Sequence, residues 1–329
     1  MTDERAVGVD IGGTKIAAGL VDASGLVGRV EVIATDATAG GSSVLRRAIA
    51  LAQTVARESS PGPIAVGVAA GGWIDPVAGR VVGASELLPG WGGTPLRDEF
   101  ERVLAVPVRV LNDVQAIGVA EARIGAGRGR RHCLCVAVGT GIGGAIVIDG
   151  RLFAGAHGFA GAIGHVPFSE AGPPCPCGRR GCIEAVARGP AIARAFAQCL
   201  RGSDDVGPTE ATAETDLGDV VRALGDPDEQ SHRCATDVVT TAGGRLGRVL
   251  GGLSNVLDPD VIVVAGGAAA ALGQKFLNAI RDGVREVALS HLDPEIVAAK
   301  LGTGGGVVGA GLVALDGVRD AGAPQPSNA

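Results

Sequence analysis

The residue types best suited to hold a metal are His165, Cys175, Cys177 and Cys182, spaced H-x9-C-x-C-x4-C. Four such ligands in so short a span suit a closed tetrahedral Zn²⁺ site, structural in kind because no coordination position stays open. The segment CPCGRRGC is Gly-rich and poor in packing groups, so a metal is the readier way to order it. Glu184 lies two residues after Cys182, and a carboxylate fixed by that site is suited to binding hydroxyl groups. His157 lies in the same region without a partner that the pattern names. Cys133 and Cys135 alternate along an apolar run and read as core, whereas Cys199 and Cys234 carry no pattern.

Asn112-Asp113 comes after the apolar run VPVRVL and opens a helical stretch. Asp is a favoured N-cap, a role contributing roughly 0.5–2 kcal/mol. A carboxylate there can equally accept a proton from a hydroxyl, beside an amide that orients it. Position alone leaves both open. Two Gly-rich turns suggest an anion. In Asp10-Ile-Gly12-Gly13-Thr14-Lys15, glycines let backbone N–H groups approach, Thr14 offers a hydroxyl and Lys15 a charge, while Asp10 could hold a hydrated metal. No Gly-Lys-Ser/Thr run exists, so this is not a Walker loop. The second turn, Gly139-Thr140-Gly141-Ile142-Gly143-Gly144, matches G-x-G-x-x-G, but a dinucleotide fingerprint must open a helix. The adjoining run AIVIDGRLF reads as a strand, so this too is a hairpin. Two Gly/Thr hairpins, one heading each half, suit one polyphosphate across a cleft.

These residues need a scaffold that brings strand ends together. A chain of 329 residues holds about two domains, and 46% apolar with 19% charged residues excludes disorder as the main state. A net charge of −6 argues against nucleic-acid and anionic-membrane surfaces. The charged start reads as neither signal peptide nor anchor, and the longest apolar run, around residues 261–273, is too short to span ~30 Å of hydrocarbon. Seven cysteines with no export signal fit free thiols or metal ligands in a reducing cytoplasm better than a disulfide framework. Strands near residues 6–33, 61–72, 106–111, 132–150 and 261–267 alternate with helices, which predicts an α/β protein with two lobes around a cleft. The smaller lobe is expected over 1–112, completed by a C-terminal helix at 306–318. The larger is expected over 113–305, carrying the metal loop, with 319–329 as a disordered tail.

DIGGTK, LND before a helix, GTGIGG, GFAGAIGH, CPCGRRGC with Glu184 after it, and VIVVAGG, taken in this order, resemble the ROK family of bacterial sugar kinases. The resemblance implies an actin-like ATPase (ribonuclease H-like) fold, ATP and Mg²⁺ in the cleft, and transfer of the γ-phosphoryl to a hexose hydroxyl, usually at C6. On that resemblance Asp113 is the general base, ionised at neutral pH, and Asn112 binds a neighbouring hydroxyl. His165 serves both zinc and sugar, Glu184 takes sugar hydroxyls, and the Gly72 backbone touches the sugar. Gly12, Gly13, Thr14, Lys15, Gly139, Thr140, Gly141 and Gly143 take the phosphates, Asp10 the Mg²⁺, directly or through water, and Gly266 and Gly267 the adenosine side. Homodimers or other homo-oligomers are implied as well.

The departures gather on the sugar side. Ala162 stands where the family has the Glu of Glu-x-Gly-His, Gly71-Gly72 replaces Pro-Gly, and GASELLPGW lacks an Asn before its Leu. One lost hydrogen bond costs about 1–3 kcal/mol. The acceptor therefore differs from glucose at one or two ring positions, as in an amino-hexose such as kanosamine or a C7-cyclitol. A ROK-type sugar-responsive transcriptional regulator is the alternative, but only Met1 to Ala6 precede the first strand. A non-catalytic sugar-binding protein would not need Asp10, Lys15 and Asp113 together.

Overall fold

The computed structural model describes residues 4–83, 88–202 and 215–322. Its first half contains β1 (Ala6–Ile11), β2 (Lys15–Asp22), β3 (Gly25–Ala34), α1 (Gly41–Arg57), β4 (Ala65–Ala70), β5 (Trp73–Asp75), β6 (Arg80–Gly83), α2 (Leu96–Leu104), β7 (Val108–Asn112) and α3 (Asp113–Arg123). Next come β8 (His132–Val138), β9 (Ile142–Ile148), β10 (Arg151–Leu152), α4 (Glu184–Ala187), α5 (Gly189–Arg201), α6 (Leu217–Ala223) and α7 (Glu229–Leu257). The chain ends in β11 (Val261–Ala265), α8 (Gly267–Val287), β12 (Glu295–Ala298) and α9 (Gly305–Gly322). The α/β class expected from the alternation is the one found.

The chain divides into two compact units, one of residues 1–129, 145–161 and 300–329, the other of 130–144 and 162–299. The first unit holds a sheet in the order β3-β2-β1-β4-β7, with β1, β4 and β7 parallel. β1 and β4 are nearly continuous apolar runs because both their faces are covered, as interior parallel strands require. α1 buries Val44, Ala48, Leu51 and Val55 at helical spacing against one face. α9 lies on the other face and against α3. That contact explains why Asp113–Arg123, expected in the larger lobe, stays with the first unit.

Contact with α9 is made backbone to backbone. A Cβ on Gly67 would stand 1.9 Å from the Ala310 carbonyl oxygen, and one on Gly309 would stand 1.8 Å from that of Ala116. Gly309→Ala must therefore push α9 away from α3. Overpacking of this kind costs about 1–3 kcal/mol, so the melting midpoint should fall by roughly 2–10 °C. Gly304→Ala, whose Cβ meets nothing within 4 Å, is the control. Equal midpoints for the two variants would contradict the close approach.

α9 also runs to Gly322, past the expected end at 318, because Asp316 and Asp320 pair with Arg123 and Arg151 at 2.9 and 3.0 Å. Of the expected disordered tail, residues 319–322 are helical, and 323–329 lie outside the described residues.

In the second sheet, β10-β9-β8-β11-β12, β8 runs parallel to β11, and β11 to β12. Gly139–Gly141 turns β8 into β9, as the sequence implied, and opens no helix. Cys133 and Cys135 are buried in β8. One expectation fails: Cys199 and Cys234 form a disulfide, with Cα atoms 5.7 Å apart. The packing of α5 on α7 brings together residues separated by 35 positions, which no local spacing could reveal. Among the described residues no helix is long and apolar enough to cross a membrane.

Candidate active site

In the first unit, the parallel strands β1, β4 and β7 release their C-terminal ends at one sheet edge. Register pairs Ile11 with Ala70 and Ala70 with Asn112, so the Gly12 turn, Gly71-Gly72 and Asp113 emerge side by side. Ligands favour this edge in α/β sheets. The first turn is closed by the Gly12 N–H donating to the Lys15 carbonyl at 3.0 Å. Buried Thr35 holds it from behind, its hydroxyl donating to the Gly12 carbonyl at 2.7 Å. Gly13, Thr14 and Lys15 remain exposed.

The helix cap is Asn112, not Asp113. Its Oδ1 accepts the Val114 N–H at 2.9 Å, and Gln115 Oε1 accepts the Asn112 N–H at 3.2 Å, completing a capping box. Asp113 thus occupies the first helical turn, its carboxylate accepting the Val114 N–H at 2.9 Å. The Asn112 amide also donates to the Gly72 carbonyl at 3.0 Å, and the Trp91 indole donates to that of Gly71 at 3.2 Å. Gly72 has φ +104°, a conformation L side chains rarely adopt. Gln115 reaches further, donating to the Gly158 carbonyl at 2.9 Å. The N-x-x-Q spacing carried the signal for Gln115, whereas nothing local marked Trp91 or Thr35.

Burial pushes the Asp113 carboxyl above its ordinary 3.8, against the lowering effect of its hydrogen bonds. Asp10 is pushed up to about 7, by burial first and by the neighbouring Asp113 charge second, with Lys15 opposing. Two carboxyl groups so placed suit a divalent cation, whose charge would relieve both effects.

In the second unit, register pairs Ala265 with Ala137, so the ends of β8 and β11 place Gly139 and Gly266 together. Gly266 has φ +95°, and a Cβ there would lie 2.3 Å from the Val138 carbonyl oxygen. The N-termini of α5 at Gly189 and α8 at Gly267 meet Gly139 and Thr140 around a cavity of about 480 Å³. Helix N-termini and turn N–H groups favour an anion there. Arg194, Gln198 and Arg201 on α5 also line it, a helical face the sequence reading missed. Gly141, Gly143 and Gly266 are not among the lining residues; Gly143 already belongs to β9.

His165, Cys175, Cys177 and Cys182 converge, their ligand atoms all within 4.8 Å of one another. Cys175 Sγ lies 3.8 Å from His165 Nδ1, and Cys177 Sγ 3.7 Å from Cys182 Sγ. A tetrahedron with Zn–S near 2.3 Å has an edge of roughly 3.8 Å, so the donor set fits the ion. Glu184 is buried, its Oε2 accepting the Ile142 N–H at 2.7 Å. Ala162 precedes the single helical turn that bears His165, and its carbonyl accepts the His165 N–H at 3.1 Å.

The ROK family model matches residues 6–316. This chain belongs to the ROK family. It is 33% identical over 319 residues to a glucokinase of Halalkalibacterium halodurans, covering 94% of this chain and 95% of that one. A ROK hexokinase structure from Thermus thermophilus superposes with a TM-score of 0.82 at 32% identity, covering 96% of this ROK chain and 99% of the hexokinase. A ROK glucokinase from Streptomyces griseus, in complex with glucose and AMPPNP, gives 0.78 at 30% identity, with 95% and 99% covered. The ROK fold is the actin-like ATPase fold expected from the motifs.

Proposed function

We propose that this ROK protein is an ATP-dependent sugar kinase in which Asp113 is the general base. The observation that carries the reading is Asp113 itself: a half-buried carboxylate, relieved of capping by Asn112, at the sheet edge that also bears the Gly12–Lys15 turn. The glucokinase bound to glucose and AMPPNP supports the same assignment of substrates. The acceptor hydroxyl, on a ring whose neighbouring hydroxyl Asn112 binds and which the Gly72 backbone touches, gives its proton to the Asp113 carboxylate as its oxygen attacks the γ-phosphorus. The bond to the β–γ bridging oxygen breaks, ADP leaves, and Asp113 returns the proton to water. Positioning and charge neutralisation supply most of the acceleration in such transfers.

The donor's polyphosphate belongs at Gly139-Thr140 and the N-termini of α5 and α8, with the nucleoside in the adjoining cavity. Asp10 would hold Mg²⁺, directly or through water, and the ion supplies neutralisation of phosphate charge. His165, Cys175, Cys177 and Cys182 would hold a structural Zn²⁺ that orders their loop.

The acceptor is a hexose or hexose-like ring lacking the group that a Glu at position 162 would bind. A panel of glucose, amino-hexoses such as kanosamine, and cyclitols with ATP-Mg²⁺ tests this, read by mass spectrometry of the product. Ala162→Glu should raise kcat/KM for glucose by roughly 5- to 150-fold, the equivalent of one hydrogen bond of about 1–3 kcal/mol. If the unaltered protein already prefers glucose, the acceptor assignment fails while the kinase stands. If no member of the panel is phosphorylated, the kinase reading fails too.

A further inference from the structure

The glycines of the first unit differ in why they are glycine. Gly72 has φ +104°, and Gly67 and Gly309 meet other backbone too closely to carry a Cβ. Gly71 has neither reason. Its φ lies outside the left-handed region, and among the described residues a Cβ there would meet a single atom within 4 Å, Asp113 Oδ2 at 3.7 Å. The Gly71 backbone is nonetheless held on both sides. Its N–H donates to the Ile11 carbonyl at 3.3 Å, and its carbonyl accepts the N–H of the fully buried Trp91 indole at 3.2 Å. The missing side chain therefore has a fixed direction, toward the carboxylate.

A glycine that neither conformation nor packing requires costs chain entropy on folding, and alanine there would stabilise the fold. What Gly71 keeps open is the ground beside the base. Asp113 Oδ1 is engaged by the Val114 N–H at 2.9 Å, and Oδ2 is the oxygen that faces Gly71. An acceptor hydroxyl bonded to Oδ2 at ~2.7 Å brings its carbon, and the substituents around that carbon, over the bare backbone. A methyl group at 71 would take the same ground. We infer that Gly71 is a specificity-determining residue for the acceptor: it makes room beside Asp113 for a branched acceptor, one whose hydroxymethyl group sits on a carbon carrying a heavy-atom substituent where an ordinary hexose has hydrogen. A cyclitol with a hydroxyl on the carbon that bears its hydroxymethyl group is of this class, and glucose is not. The inference rests on the reading of Asp113 as general base and names the substrate class for that site.

The test pairs two acceptors that differ in one substituent. One is a carbocyclic hexose analogue with hydrogen on the ring carbon that bears its hydroxymethyl group; the other has a hydroxyl there. Both are assayed with ATP-Mg²⁺ on the unaltered protein and on Gly71→Ala, with melting midpoint and AMPPNP affinity recorded for each protein. The unaltered protein should use the branched ring at least as well as the unbranched one. Gly71→Ala should lower the branched-to-unbranched ratio of kcat/KM by roughly 10- to 200-fold, the range for one carbon-sized change in a fitted pocket. Its melting midpoint should be equal or higher, and its AMPPNP affinity unmoved. An unmoved ratio overturns the inference, as does an unaltered protein that rejects the branched ring. A Gly71→Ala that melts lower or does not fold also overturns it, because the fold would then need the glycine. In all these cases turnover of the unbranched ring by the unaltered protein leaves the kinase reading standing. If neither ring nor any sugar is phosphorylated, the kinase reading fails and the inference falls with it.

Discussion

Asp113→Asn should lower kcat for sugar phosphorylation by about 10²- to 10⁴-fold, the contribution of a positioned general base, while leaving the protein at least as stable. The two halves have one cause. Burial pushes the Asp113 carboxyl above its ordinary value, so folding disfavours its charged form. A neutral amide of the same shape removes that cost and still lets its oxygen accept the Val114 N–H, now made by the carboxylate at 2.9 Å. The same shift sets the sign of the pH dependence. A base works only when deprotonated, so kcat/KM should fall as the solution is acidified through the raised Asp113 pKa, with the acid limb well above 3.8. Stability of the ligand-free protein moves oppositely: the two groups raised on folding, Asp113 and Asp10 (the latter to about 7), favour the fold at low pH and lose that contribution as pH rises through their folded pKa values. Asp113→Asn should flatten the Asp113 part of that stability profile. Turnover within tenfold of the unaltered enzyme, or a marked drop in melting midpoint, would show that the Asp113 carboxylate serves the first turn of α3 and not the reaction.

How far the sequence reached depends on how local each signal is. The turns after β1 and β8 and the H-x9-C-x-C-x4-C spacing are written within about twenty residues each, and the structure forms all of them as contiguous features. Trp91 on Gly71, Thr35 on Gly12 and the Cys199–Cys234 bridge join residues 20 to 35 positions apart, set by helix and strand packing that no local pattern records. Glu184 is the instructive middle case. Its position beside the cluster was legible, but the direction of its carboxylate, toward an amide 42 residues earlier, was not. The cavity wall on α5 was not legible at all: Arg194, Gln198 and Arg201 line the cavity on a helix whose first residue, Gly189, is tied to Gly139, a partner 50 positions earlier.

Removing one ligand from the Cys/His cluster should undo the second unit rather than merely the loop. Cys182 is the decisive position: it is buried, pairs with Pro167 in an isolated bridge, and starts the segment that carries Glu184 and Gly189. Without a cation, burial pushes the Cys175 thiol up to about 12, so a bound cation would have to displace a proton held well above neutral pH at that position. Bound zinc contributes about 10–16 kcal/mol in small zinc-finger peptides, comparable to the whole stability of a domain, roughly 5–15 kcal/mol. Cys182→Ser should therefore lower the melting midpoint by more than about 10 °C and abolish nucleotide binding, because the segment it starts holds the Gly139 turn through Gly189 N–H on the Gly139 carbonyl and Glu184 on the Ile142 N–H. Chelation of the unaltered protein should reproduce both effects, and added Zn²⁺ should restore the chelated protein but not Cys182→Ser. Elemental analysis decides the premise: a gently purified, fully active protein holding far less than one metal ion per chain would mean that the four side chains pack as thiols and imidazole alone. In that case Cys182→Ser, a change of one buried atom, should cost no more than an ordinary core substitution.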